Sequence, residues 1–173
     1  MEHLLWMIFL FIVFQRIVEL IIAKRNERWM KERGGIEAGK EHYKWFIILH
    51  CLFFISIILE AWIRDIPSLG LFTFLLVIFI IAQIARIWCI TALGKFWNTR
   101  IIVMPDSPLI KKGPYYYVKH PNYIIVAIEL FIIPLLFGAI VTAILFPVLH
   151  ILLLTIRIPS EERALQLMDS NKQ

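Results

Sequence analysis

Cysteine is nearly absent from this 173-residue chain, with Cys51 and Cys89 each standing alone in an apolar run. Two isolated thiols are too few for a thiolate metal site and poorly placed for a structural disulfide, so they read as packing residues and no metal is expected. Glycine is sparse, at 7 residues, and no glycine-rich dinucleotide fingerprint occurs, which excludes nucleotide binding in the Rossmann manner. The sequence also lacks a Ser/His/Asp constellation, an internal repeat and any low-complexity tract. Acidic residues number 13 against 18 Lys and Arg, a net charge of +5. That balance suits nucleic acid, but the basic residues cluster beside apolar runs, where they bias topology and meet anionic head groups. No nucleic-acid partner is expected.

What the chain has in abundance is hydrocarbon: 60% of it is hydrophobic and 14% aromatic, more than a soluble domain of this size buries. Lipid must be much of its solvent. Apolar runs at about 3–23, 45–63, 69–93, 122–137 and 139–156 predict an all-α polytopic membrane protein of about five transmembrane helices, in a single membrane domain spanning 1–173. Lys24, Arg25, Arg28, Lys31 and Arg33 follow the first run where a signal peptide would carry a cleavage site, so it reads as a retained span. Only the region from Pro134 to Gly138 separates the last two runs, predicting a tight helical hairpin, and Pro147 is placed to kink its second arm. Seven Lys or Arg lie in 24–44, five in 94–121 and three from 157 onward, whereas the turn after Trp62 holds only Arg64. The positive-inside rule then sets the N-terminus outside and the C-terminus in the cytosol of a multi-pass protein of the cell membrane. Trp6, Trp45, Trp62, Trp88 and Trp97 fall near span ends, as an interfacial belt requires.

Polar groups inside spans are costly in lipid and so are functional candidates by default. They are Arg16, Glu19, Glu60, Gln83, Arg86 and Glu129, with His50 and His150. Arg16 with Glu19 and Gln83 with Arg86 are spaced i, i+3, so each pair shares a helix face and is satisfied locally or against a neighbouring helix. Glu129, about two turns into the fourth run, is placed to line a cavity.

Two further clusters flank the last two runs. Gly113-Pro114-Tyr115-Tyr116-Tyr117-Val118-Lys119-His120-Pro121-Asn122-Tyr123 supplies a turn, stacking surfaces and hydrogen-bond donors, a set suited to a nucleotide-like ligand or to an ordinary interfacial belt. In Arg157-Ile158-Pro159-Ser160-Glu161-Glu162-Arg163-Ala164-Leu165, Ser160 is suited to cap a short helix with Glu161 and Glu162 in its first turn. Arg157 there is suited to grip an anionic group in bidentate fashion.

Together the clusters resemble the signature of the isoprenylcysteine carboxyl methyltransferase family, a Gly-x-Tyr, then Arg-His-Pro-x-Tyr, a helical hairpin, then Arg before Glu-Glu-x-x-Leu. The matching residues are Gly113, Tyr115, His120-Pro121-x-Tyr123, Arg157 and Glu161-Glu162-x-x-Leu165, with Lys119 where the family often has arginine and Ile125 where glycine often follows the tyrosine. The resemblance covers the chain from Gly94 onward. It implies a C-terminal cytosolic cofactor-binding segment, with 94–173 as the catalytic region. Tyr115, His120, Pro121, Asn122, Tyr123 and Glu161 would hold S-adenosylmethionine, joined by Ser107, Pro108, Leu109 and Ile110 largely through backbone. Arg157 would bind the acidic oxygen of the substrate, and Glu162 would support it.

The implied reaction is attack of that oxygen on a sulfonium methyl, in which positioning and exclusion of water do most of the work. The resemblance extends to bacterial relatives that methylate long-chain alkylpyrone hydroxyls, so the lipophilic partner, met in the lipid bilayer, is an alkylpyrone or a prenylcysteine-type carboxylate. Phospholipid N-methyltransferases share similar Gly-Pro-Tyr and His-Pro-x-Tyr motifs, and membrane sterol reductases, which use NADPH, share a related C-terminal architecture. A non-enzymatic membrane interaction protein is the remaining alternative. Oligomeric state is not legible.

Overall fold

Helix α1, Glu2–Lys31, runs well past the first apolar stretch and carries the basic residues from Lys24 to Lys31 on its last two turns. A short strand β1, Ile36–Ala38, separates it from α2, Lys40–Ala61. Helix α3, Leu69–Leu93, ends in a 3-10 turn, Gly94–Phe96, and leads to strand β2, Ile101–Val103. One turn of helix, α4 (Pro114–Tyr117), then α5 (Pro121–Leu136) and the long α6 (Ile140–Ser170) complete the chain. This computed structural model describes residues 2–63, 67–105 and 110–170. Arg64, used above for orientation, and the site residues Ser107, Pro108 and Leu109 lie outside the described residues.

Among the described residues four helices are long and apolar enough to cross a bilayer: α1, α2, α3 and the Ile140–Gln166 part of α6. The fifth apolar helix, α5, has 16 residues, which at 1.5 Å per residue gives about 24 Å, less than the roughly 30 Å of a hydrocarbon core. The apolar side chains of the long helices stay largely unburied by protein, Leu10, Phe14, Ile21, Ile80 and Leu152 among them, as expected of surfaces meeting lipid tails. The chain is therefore a multi-pass, predominantly helical membrane protein. The antiparallel pair β1–β2, with Glu37 opposite Ile102, is an addition that the hydropathy pattern did not foresee.

The chain divides into two units. One, a bundle, comprises Lys44–Ala92 and Ile110–Ile156. Within it α2 and α6 run antiparallel along a seam that can be followed contact by contact. The Glu60 carboxylate accepts hydrogen bonds from the Val141 amide (2.8 Å) and from the amide and hydroxyl of Thr142 (2.9 and 2.8 Å), capping the start of α6. Further along, the rings of Phe53 and Phe146 meet edge to face at 5.4 Å, and those of Phe46 and His150 at 6.1 Å. Residues 142, 146 and 150 recur every four positions, the spacing of one helix face. Glu60 and His150 are thus packing and capping groups of the bundle.

The other unit comprises Met1–Tyr43, Leu93–Leu109 and Arg157–Gln173. Its framework is α1 and the strand pair. Asn26, buried on α1, donates to the carbonyls of Gly94 (3.1 Å) and Trp97 (2.7 Å), tying the turn after α3 to the end of α1. Trp97 is buried, 2% exposed, so it serves this packing and not an interfacial belt.

Helix α6 continues without a break through Pro147 and Pro159. Ser160 is therefore no N-cap, and Glu161 and Glu162 lie in mid-helix. Proline removes one ladder hydrogen bond, which a helix tolerates when packing on its other face holds it. Here the face bearing 142, 146 and 150 is buried, while Pro159 is exposed.

Candidate functional site

Gly113 starts the tyrosine turn with φ +55°, a left-handed conformation that glycine adopts most readily. A Cβ there would come 2.9 Å from Trp88 Nε1 and 3.0 Å from Ala92 Cβ, so the absent side chain is what lets the turn dock on α3. Pro114 follows at the first helical position, where its missing N–H costs nothing. Of the three tyrosines, Tyr116 and Tyr117 are exposed and meet edge to face, whereas half-buried Tyr115 hydrogen-bonds the Cys89 thiol of α3. Tyr115 thus anchors the turn, and buried Cys89 gains a polar partner that apolar surroundings did not suggest.

Four residues on, a second turn opens α5. His120 is the cap, with φ −128° and ψ 59°, and Pro121 again occupies the first turn. The His120 carbonyl accepts from the Tyr123 amide at 3.2 Å. This folding back stacks the His120 and Tyr123 rings nearly parallel, 15° apart with centroids 5.4 Å from each other. Between them in sequence, the side-chain oxygen of Asn122 is buried yet meets no hydrogen-bond partner among the described residues. A buried amide oxygen left without a donor costs about 1–3 kcal/mol. A ligand donating an N–H or O–H would remove that cost. Flat aromatic surface and a buried acceptor thus lie side by side at the start of α5.

Ile125, where glycine was the expected family residue, is buried in the core of α5. Ile110, half-buried, leads toward the Gly-Pro turn without regular structure. Glu129 is engaged by α3: Gln83 donates to it at 2.8 Å, Arg86 Nε at 2.8 Å, and Arg86 Nη2 reaches its other oxygen. The i, i+3 pair of α3 thus converges on one carboxylate of α5, with both charged partners buried. Arg16 and Glu19 instead pair locally at 2.7 Å, with Gln15 adding a bond to Glu19 at 3.0 Å.

Arg157, Glu161 and Glu162 belong to the strand-bearing unit. Arg157 is buried and its Nη2 donates to the Thr99 carbonyl at 2.6 Å. Thr99 Oγ1 meets the Tyr43 hydroxyl at 3.1 Å. The Arg100 guanidinium lies 4.4 Å over the Tyr43 ring and donates to Glu37 at 2.5 Å. Glu37 also accepts from Lys31 at 2.7 Å. Glu161 and Glu162 are half-buried one turn beyond Arg157, so Arg157 and Glu161 share a face at i, i+4. Sequence reading missed Tyr43, Thr99, Arg100 and Glu37, because their charges and rings sit in a segment whose basic residues had a sufficient topological explanation. The short β-branched run Ile101–Val103 was the one local signal of structure there. Among the described residues no three His, Cys, Asp or Glu side chains gather as metal ligands.

Among the chain's relatives, YpbQ of Bacillus subtilis strain 168, an uncharacterized protein, is 40% identical over 161 residues, covering 93% of this chain and 96% of the relative. An uncharacterized protein of Haemophilus influenzae is 29% identical over 151 residues, 87% of this chain and 88% of the relative. No solved structure matches significantly. The isoprenylcysteine carboxyl methyltransferase (ICMT) family model matches residues 75–167, a stretch that begins within α3, takes in both turns and α5, and ends beyond Arg157 and Glu162. The chain belongs to the isoprenylcysteine carboxyl methyltransferase family of membrane methyltransferases.

Proposed function

We propose that the protein is an S-adenosylmethionine-dependent O-methyltransferase of the cell membrane that methylates an acidic oxygen on a lipophilic substrate. The observation that carries the reading furthest is the turn His120–Tyr123, where a stacked ring pair adjoins a buried carboxamide oxygen that no described residue satisfies. His120, Pro121, Asn122 and Tyr123 hold the cofactor, with Tyr115 fixing the preceding turn and Ile110 contributing backbone. Glu161 completes the cofactor set. S-Adenosylmethionine, when bound, supplies a methyl group on a positively charged sulfur.

Arg157 binds and orients the substrate's oxygen. A carboxylate or an acidic enol is already ionised at neutral pH, so no side chain has to remove a proton, and the guanidinium acts through direction and charge. Burial of Arg157 strengthens that interaction, since water competes less for the fork. Glu162 supports the turn of α6 that carries it. The basic segments favour an N-terminus outside and a C-terminus, with the site, on the cytosolic side, an orientation that requires α5 to cross along with the four longer helices.

Among acidic oxygens on hydrocarbon tails, a long-chain alkylpyrone hydroxyl is the favoured substrate and a prenylcysteine carboxylate the second. An amine substrate, as in phospholipid N-methylation, needs a base to lose its proton. Of the two carboxylates suited to that task, Glu129 and Glu162, the first is engaged by Gln83 and Arg86, which weighs against its serving as that base. The test is transfer of labelled methyl from S-adenosylmethionine by the detergent-purified protein to a long-chain alkylpyrone, a farnesylcysteine and a phosphatidylethanolamine. Label in the first or second supports O-methyl transfer. Label only in the third overturns the assignment of Arg157.

A further inference from the structure

We propose that Tyr43 and Thr99 are positioning residues that aim the Arg157 guanidinium, and that the strand pair β1–β2 exists to hold them. The inference rests on the reading of Arg157 as the group that grips the acidic oxygen.

An arginine side chain, with its many rotamers, loses much conformational entropy when it is fixed. Its usefulness to a substrate anion depends on that fixing, because bidentate recognition needs the planar fork in one orientation. In this protein one arm of the fork is held by a backbone carbonyl, Thr99 O, at 2.6 Å. Thr99 stands in the irregular segment between the 3-10 turn and β2, so no sheet ladder fixes the direction of its carbonyl.

Side chains from three other elements fix it instead. Asn98 donates to the Ala23 carbonyl of α1 at 3.3 Å and accepts from the Arg100 amide at 3.0 Å, closing a local turn around residue 99. Thr99 Oγ1 is within 3.1 Å of the Tyr43 hydroxyl, on the first turn of α2. Arg100 lies over the same tyrosine ring and binds Glu37 of β1, which Lys31 of α1 also reaches. Residues 98, 99 and 100 are thereby clamped by α1, α2 and β1 in turn.

The linker between β1 and α2 closes the arrangement. Gly39 has φ +61°, and a Cβ there would come 3.2 Å from Ile101 Cδ1 and 3.8 Å from Ser160 Cβ. Ser160 lies three residues beyond Arg157 on the same helix, hence on the same face. The turn leading to Tyr43 therefore packs against the part of α6 that carries Arg157. The charges in the clamp, Lys31 and Arg100 against Glu27 and Glu37, balance, so the clamp adds direction more than net field at Arg157.

The test compares Tyr43→Phe, Thr99→Val, the double variant and Arg157→Ala. Turnover is followed with labelled S-adenosylmethionine and a long-chain alkylpyrone or N-acetyl-S-farnesylcysteine, whichever the wild-type protein methylates. S-Adenosylhomocysteine affinity and melting temperature are measured in parallel. Tyr43→Phe keeps the ring under Arg100 and removes only the hydroxyl. Its kcat/KM should fall roughly fivefold to tenfold, as for loss of one hydrogen bond, chiefly through KM for the lipid substrate. Cofactor affinity and melting temperature should stay at wild-type values, and the double variant should be no worse than the weaker single one. Wild-type kcat/KM in both single variants, with Arg157→Ala inactive, overturns this inference alone, as does an additive double variant. Equal losses of cofactor affinity or melting temperature also overturn it, because they mark a general structural role. Full turnover by Arg157→Ala, or no turnover of either probe by the wild type, overturns the underlying reading and the inference with it.

Discussion

Asn122 and His120 occupy one turn but do different things there. His120 sets the turn by stacking on Tyr123, while the Asn122 oxygen stays buried with no donor among the described residues. Replacing Asn122 by leucine should therefore lower affinity for S-adenosylhomocysteine by about tenfold, the value of one or two buried hydrogen bonds, with the melting temperature of the ligand-free protein held or raised. His120→Ala should weaken the ligand further and destabilise the turn as well. Titration calorimetry alongside thermal melts separates the two. Glu37 allows a prediction of another kind. Burial pushes its carboxyl up, but hydrogen bonds from Lys31 and Arg100 outweigh that and hold it below the ordinary 4.5. The stability this linkage supplies is present above the ordinary carboxylate value and is lost as pH falls through the depressed one. Melting temperature followed from about pH 6 to about pH 3 should drop at the acid end, and Glu37→Gln should start lower and flatten that drop.

At the scale of elements, the turn at Gly113 and the start of α5 were legible because Gly-Pro and His-Pro are local instructions, although the turn proved to include the single helical turn α4; each proline sits in a first turn, where its chemistry is harmless. The start of α6 was not, since its cap is Glu60, about eighty residues earlier on α2, and no local pattern announces a cap that arrives from another helix. Glu60→Ala should leave the Val141 and Thr142 amides unsatisfied, the Thr142 hydroxyl keeping its bond with Ser56, and cost about 1–3 kcal/mol, seen as a lower melting temperature in detergent. The run of α6 past Pro159 was misjudged for a related reason: a proline looks like a stop in sequence, whereas burial of the opposite helix face keeps the chain helical. The strand pair escaped notice because three residues are too few for alternation to register. Gly113→Ala places a methyl against Trp88 and Ala92 in an unfavourable φ region, so it should loosen the tyrosine turn from α3 and lower cofactor affinity.

For the molecule as a whole, composition was enough to say that lipid is its solvent, and the long apolar helices bear that out. Pairing of charges within the bundle was legible only in part. Spacing put Gln83 and Arg86 on one face, but their shared partner Glu129 lies on another helix. That pair has a definite energetic signature. Removing one member leaves a buried charge and should cost about 3–5 kcal/mol, whereas removing both with leucine should restore most of the loss. Thermal melts of Arg86→Leu, Glu129→Leu and the double variant decide this. The cluster from Gly113 to Tyr123 was readable as residues for which an ordinary interfacial belt was an equally complete explanation. Only Tyr116 and Tyr117 remain exposed as a belt demands, while Tyr115, His120 and Asn122 are folded inward. The most direct measurement is calorimetric titration of the folded, detergent-purified protein with S-adenosylhomocysteine, using NADPH as the control ligand. A methyltransferase of this family gives saturable binding of the first and none of the second; saturable binding of NADPH alone, or of neither, contradicts the assignment.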